Sequence, residues 1–354
     1  MKCRPVVAAL CLCLIWSLPA GASFLERAGV RAFIEDVAAR EDFNAAELRG
    51  LFEQVERQEG VLEAIARPAE DLPWYRYRPI FVTDERIAAG VDFVREHAEL
   101  LASAEREYGV PPAVVAAIIG VETYYGRHKG RYPVLDTLAT LAFGYPPRSD
   151  FFRRELEQFL LLARDEQLPL RSLKGSYAGA MGMPQFISSS YRSYAVDFDS
   201  DGRRDLWDSD ADVIGSVAAY LARHGWRDGA PVVHRANPVS KRWQDLLREG
   251  LKPRTDAAEL RAAGLSVEPP LGADERVRVF ALQREASREV WIARRNFYVI
   301  TRYNHSALYA MAVHQLAERI RRGLAAAARR GPAPAARAPR ALAPTPRPVP
   351  ASPA

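Results

Sequence analysis

Pro111-Pro-Ala-Val-Val-Ala-Ala-Ile-Ile-Gly-Val-Glu-Thr-Tyr-Tyr-Gly126 governs the reading of this chain. Proline suits the first turn of a helix, where its missing N–H loses no partner. Val114, Val115, Ile118, Ile119 and Val121 then make the segment apolar almost all round, which predicts a buried helix. Glu122 interrupts the run. It is the only acid between Glu107 and Asp136, and two tyrosines and a glycine follow it closely. A carboxyl at the end of a buried helix, among aromatic rings, loses hydration. That favours the neutral acid and predicts a raised pKa, suited to proton donation. At a frayed helix end the same residue would be an ordinary surface glutamate.

Outward from this segment the pattern stays helical. Residues 25–67 read as helix, with Asn44 and Glu47 spaced as a capping box. Residues 84–108 repeat the signal, with Thr83 or Asp84 as the cap. Pro73–Pro79 between them reads as an aromatic and basic connector. Residues 149–165 and 210–224 read as amphipathic helices, and residues 305–322 return to helix. Residues 230–300 differ, because short apolar runs such as Val277–Leu282 and Glu289–Ile292 alternate with turns, which predicts a small strand-containing insert. The fold class is therefore mainly α, with a minor β part.

Of the 354 residues, 48% are hydrophobic and 26% charged, a composition that excludes a disordered or collagen-like chain over most of the length. The formal charge is +5. Setting aside Lys2 and Arg4 at one end and Arg329, Arg330, Arg337, Arg340 and Arg347 at the other takes it to −2. The basic character thus belongs to the ends, and bulk charge gives no ground for nucleic-acid binding. Residues 1–22 read as a secretory signal, with a basic start, an apolar run from Val6 to Leu18 and small residues at Ala20-Gly21-Ala22. Export from the cytoplasm is the expectation. Cys3, Cys11 and Cys13 all lie in this leader, so cleavage would leave no thiol. Cys11 and Cys13 each follow a leucine, which does not favour lipidation. Residues 323–354 are rich in Ala, Pro and Arg, and read as an extended tail.

A second cluster carries chemistry. Gly175-Ser-Tyr-Ala-Gly-Ala-Met-Gly-Met-Pro-Gln-Phe186 is rich in small residues, so backbone can approach a ligand, while Ser176 and Gln185 offer hydrogen bonds to a sugar. In a plain packing turn the glycines would serve only closeness. A third is Asp197-Phe-Asp-Ser-Asp-Gly-Arg-Arg-Asp205. Asp197, Asp199, Asp201 and Asp205 fall at positions 1, 3, 5 and 9 of a calcium loop, Gly202 at 6 and the Arg203 carbonyl at 7. Asp208 at position 12 is short for a bidentate ligand, and Asp210 and Asp212 are rivals for the last place. The six histidines show no zinc spacing.

Together these motifs resemble the lytic murein transglycosylase B family. The resemblance continues through Ile214–Tyr220, His224-Gly-Trp226 and Thr301-Arg-Tyr-Asn-His-Ser306, and covers residues 25–320. It implies a lysozyme-like catalytic core over about 109–228 and 301–322, a helical part over 23–108 and a small β-containing insert over 229–300. It implies peptidoglycan glycan strands as substrate, and non-hydrolytic cleavage of the β-1,4 bond between N-acetylmuramic acid and N-acetylglucosamine. Glu122 matches the family's acid/base. Ser176 and Gln185 match polar groups of the sugar site, and Tyr220, Tyr303, Asn304 and Tyr309 match the cleft lining, as do Tyr77 and Arg148 on shorter motifs. By the same resemblance Asp212 takes the last place in a structural calcium site with Asp197, Asp199, Asp201 and Arg203. A monomer is expected, with wall-remodelling proteins as further partners. Two other readings stand beside it: a lysozyme-type muramidase that uses water, and a non-catalytic, calcium-stabilised glycan-binding module.

Overall fold

The computed structural model of the protein describes residues 24–66 and 72–330. The expected leader and residues 331–354 of the expected tail lie outside them. In chain order the helices begin with α1 (Val30–Glu41), α2 (Ala45–Glu53), α3 (Glu59–Ile65), α4 (Trp74–Phe81), α5 (Asp84–Glu96), α6 (Ala98–Tyr108) and α7 (Pro112–Thr123). Then come β1 (Tyr132–Pro133), α8 (Val134–Gly144), α9 (Ser149–Asp165), β2 (Lys174–Gly175), α10 (Ser188–Tyr194) and α11 (Asp210–Arg223). The chain continues through β3 (Val233–Ala236), α12 (Ala257–Ala262), β4 (Arg278–Gln283), β5 (Arg288–Ala293), α13 (Arg295–Tyr303) and α14 (Ala307–Arg330). The protein is mainly helical with small sheets, as the periodicity predicts.

The described residues divide into two compact units, one of residues 24–66 and 129–193, the other of residues 72–128 and 194–330. In the first, α8 packs on α9 and α3 on α8. The α9 face Phe152, Leu156, Phe159 and Leu160 recurs at helical spacing and is buried. Arg40 of α1 grips Glu157 of α9 with two hydrogen bonds, at 3.0 and 2.9 Å. Asn44 caps α2 by accepting from the amides of Ala46 and Glu47. Glu47 meets the Asn44 side-chain amide instead of its backbone, so only half of the expected capping box forms.

In the second unit α7 is the central element, packed against α14, α5, α11 and α6. Its interior from Val115 to Gly120 is fully buried, because every face is apolar. Thr83 caps α5 through the Arg86 amide. The insert holds an antiparallel sheet in the order β3-β5-β4. Val277, Val279, Val290 and Ile292 of the sheet region close a small core with Trp243, Leu246 and Leu260.

Two expectations are corrected. Pro73–Pro79 is not a connector: most of it is helix α4, in which Trp74 and Tyr77, one turn apart, are both buried. Burial of those rings outweighs the bond that Pro79 cannot donate. Residues 323–330 do not begin an extended tail, since α14 runs on to Arg330. Leu324 and the four alanines after it favour helix, and Gly323 lets the helix lie against Val91, which a Cβ would approach to 2.6 Å.

Candidate active site

Glu122 sits in the last turn of α7, half-buried. The chain leaves the helix there through three left-handed residues in succession, Tyr124 (φ 53°), Tyr125 (φ 57°) and Gly126 (φ 83°). For a non-glycine residue this conformation costs roughly 1–2 kcal/mol, so the turn must be held by its surroundings. Thr123 Oγ1 donates to the Ile119 carbonyl at 3.3 Å and accepts from the Gly126 amide at 3.0 Å. Tyr125 folds back along the helix and its hydroxyl donates to the Arg86 carbonyl at 3.0 Å. The ring lies where two glycines make room: a Cβ on Gly120 would come within 2.6 Å of Tyr125 Cζ, and one on Gly90 within 2.3 Å of its hydroxyl. Gly90 is a site residue the sequence reading missed. A glycine inside the helical pattern of α5 was its one available signal.

A group of tyrosines stands against the acid. Tyr309 of α14 donates to Glu122 Oε1 at 2.5 Å. Tyr303 stacks near Tyr309, with centroids 6.5 Å apart, and Tyr220 lies 4.8 Å from Tyr303. Burial and the charge of Glu122 push the phenols of Tyr303 and Tyr309 well above their usual range, so both stay protonated. Tyr220 donates to the Arg302 carbonyl at 2.5 Å, and its ring stacks on His224 at 4.1 Å. Burial holds the His224 imidazole below its usual value. Tyr77, Tyr220 and Tyr309 are all buried. Of these Tyr309 meets Glu122 directly, while Tyr220 packs on Tyr303; Tyr303 and Asn304 keep part of their surface. The structure therefore brings Glu122, Tyr303, Tyr309 and Tyr220 together within one unit.

Ser176, Gln185 and Arg148 belong to the other unit. Ser176 Oγ accepts from the amides of Ala178 and Ala180, at 3.2 and 3.1 Å. Gln185, itself left-handed at φ 54°, spends its amide on the carbonyls of Lys129 and Gly182, at 3.2 and 2.8 Å. Both side chains thus brace the glycine-rich turn, and Gln185 keeps its side-chain carbonyl as acceptor. Gly175 is required for closeness, since a Cβ there would meet the Ala180 carbonyl at 2.3 Å. Arg148 lies over the ring of Phe151 at 4.2 Å.

The acidic loop precedes α11. Asp197, Asp199 and Asp212 each offer an oxygen, all within 4.8 Å of one another. Asp212 is buried; it accepts from the amides of Phe198 and Asp205, both at 2.7 Å. Burial and the nearby Asp199 and Asp197 charges push its carboxyl up against those bonds. Gly202, at φ 90°, and Ser200, at φ 60°, supply the tight turn. Asp201 stands outside the cluster and accepts from the Arg203 amide at 2.9 Å. Asp210 points its carboxylate at His97, 3.7 Å away. Three converging carboxylates, one of them buried, are hard oxygen donors that suit Ca²⁺.

The family model described as Transglycosylase SLT domain matches residues 26–318. Membrane-bound lytic murein transglycosylase B of Escherichia coli is 41% identical over 310 residues, covering 85% of this chain and 84% of that protein. The crystal structure of soluble lytic transglycosylase SltB1 from Pseudomonas aeruginosa superposes with a TM-score of 0.78 at 50% identity, over 83% of this chain and 98% of that one. The structure of the Escherichia coli lytic transglycosylase Slt35 in complex with calcium gives a TM-score of 0.78 at 41% identity, over 86% and 96%.

Proposed function

The chain belongs to the SLT transglycosylase family, and on that premise we propose that Glu122 is the single acid/base with which it cuts peptidoglycan. Lytic murein transglycosylases cleave the bond between N-acetylmuramic acid and N-acetylglucosamine and leave 1,6-anhydromuramoyl ends. Most glycosidases need two carboxylates, the second attacking the sugar or activating water. Here the muramoyl 6-hydroxyl is the nucleophile. Glu122 protonates the leaving glycosidic oxygen. The 6-hydroxyl closes on the anomeric carbon, and the Glu122 carboxylate takes its proton, so the acid is restored and no water is consumed. The substrate's N-acetyl group offsets positive charge at the anomeric carbon.

The observation that carries this reading is the Tyr309 hydrogen bond to Glu122 Oε1. A buried phenol fixes the orientation of the carboxyl, and preorganised groups of this kind lower the barrier without reorganising during reaction. Tyr303 and Asn304 supply surface for the sugar, and Ser176, Gln185 and Arg148 are assigned to glycan binding from their motifs.

Asp197, Asp199 and Asp212 would hold a calcium ion, with Asp201 and the Arg203 carbonyl completing the loop. The ion would neutralise these carboxylates and tie the loop to the start of α11, a structural role that leaves the proton steps to Glu122. The leader supports export to the periplasm. Among the described residues no helix is long and apolar enough to cross a membrane.

The test is digestion of purified peptidoglycan by the chain lacking residues 1–22, with products analysed by mass spectrometry. Anhydromuramoyl ends, lighter than hydrolysed ends by one water, are expected, and Glu122→Gln should abolish them. Reducing ends would mean that water attacks. Unchanged cleavage by Glu122→Gln would remove Glu122 from the chemistry.

A further inference from the structure

A cavity of about 430 Å³ opens between α4, α14 and the β3-β5-β4 sheet. Arg78, Arg235, Arg284, Arg319 and Arg322 line it. Only two carboxylates share its walls, Glu289 and Glu318. Glu289 serves Arg235 at 3.5 Å and Arg284 at 3.6 Å. Glu318 is engaged by Arg321, at 2.7 Å, which is not among the lining residues. Arg78, Arg319 and Arg322 have no carboxylate within ion-pair distance among the described residues. Arg78 is half-buried, and its Nε donates to a neutral group, Gln315 Oε1, at 2.7 Å. Burial and the charges of Arg319 and Arg284 hold its guanidinium below its ordinary pKa.

Gathering cations in a concavity is unfavourable unless something compensates. Glycan hydroxyls and amides do not call for several unpaired guanidiniums. Arginine presents a planar fork that matches two oxygens of a phosphate or carboxylate. The volume lies within the usual range for small-molecule sites, about 300–1,000 Å³. We propose that this cavity binds a compact ligand carrying clustered oxyanions, either phosphate groups or carboxylates on neighbouring atoms. The site is separate from the proton chemistry at Glu122 and goes beyond the reading of that residue.

The experiment is calorimetric titration of the full chain, at low ionic strength and with calcium present, using glucose 1,6-bisphosphate in one arm and tricarballylate in the other. Saturable binding that weakens with added salt is expected. Arg319→Gln, on the exposed side of α14, should weaken it about tenfold, and so should Arg78→Gln. Arg49→Gln, whose cation pairs with Glu35 and which, like that partner, does not line the cavity, should leave it unchanged, as should Glu122→Gln. Melting curves establish that each variant is folded. Binding of the bisphosphate alone supports the site with phosphate as its ligand, and binding of tricarballylate supports it with carboxylates. No saturable binding in either arm overturns the proposal. So does affinity that survives both Arg319→Gln and Arg78→Gln in folded protein.

Discussion

The phenol of Tyr309 and the carboxyl of Glu122 meet at 2.5 Å although 187 residues of chain separate them. Tyr309 is 2% exposed, so in the proposed chemistry its part would run through Glu122 and not through a glycan contact. Tyr309→Phe keeps the ring and deletes the donor. Hydrogen bonds to charged groups contribute about 1.5–3 kcal/mol, so kcat should fall roughly 10- to 100-fold. KM should change little, because no glycan contact is lost. Steady-state release of anhydromuropeptides checks this. A raised KM at unchanged kcat would place Tyr309 in substrate binding instead.

Gly120 and Gly90 hold open the space for Tyr125, which anchors the left-handed turn after Glu122. Gly120→Ala would set a Cβ 2.6 Å from Tyr125 Cζ and the ring must move. Overpacking of this kind costs about 1–3 kcal/mol, and activity should drop further than stability because the exit from α7 shifts. Gly50 in α2 is the contrast, since a Cβ there meets nothing within 4 Å. Gly50→Ala should stabilise by about 1 kcal/mol, through helix propensity alone. Thermal melting and activity of the two variants separate the effects.

These contacts also mark the limit of what the sequence discloses. Helix α7 is legible because apolar residues all round a helix have one destination. The acidic loop is legible because alternating carboxylates and a glycine leave few other uses. Helix α4 is not, since Pro79 and the basic residues hide two buried rings. Ser176 and Gln185 illustrate a different limit. Their side chains read as groups offered to a ligand, yet the fold commits them largely to backbone partners that no spacing rule names. The family motifs single out Tyr309, but its bond to Glu122 exists only once α14 and α7 are packed.

Calcium should raise the melting temperature, and a chelator should lower it. Binding to the native state alone stabilises by about 2.7 kcal/mol at a hundredfold excess over Kd. Asp212→Asn removes the buried charge of the Asp197, Asp199 and Asp212 group and should abolish the response. Asp210→Asn should preserve it, because that carboxylate faces His97. The reverse pattern, with Asp210 essential and Asp212 dispensable, would move the last ligand.

His314 gives the chain an acid-sensitive element. Burial in α14 pushes its imidazole below the ordinary 6.5, and Glu318 pulls the other way without cancelling the effect. The unfolded chain binds a proton at that position before the folded one does. Stability from this group is therefore complete above the unfolded pKa and is lost as pH falls through the depressed folded value. Asp136 and Asp212, whose carboxyls burial pushes up, act in the opposite sense, because the folded state takes up their protons first. The raw melting curve mixes these contributions, so the informative quantity is the difference between the protein and His314→Gln. Between about pH 7.5 and about pH 5.5 the native protein should lose more stability than the variant. Parallel losses in both would show that His314 does not carry the acid response.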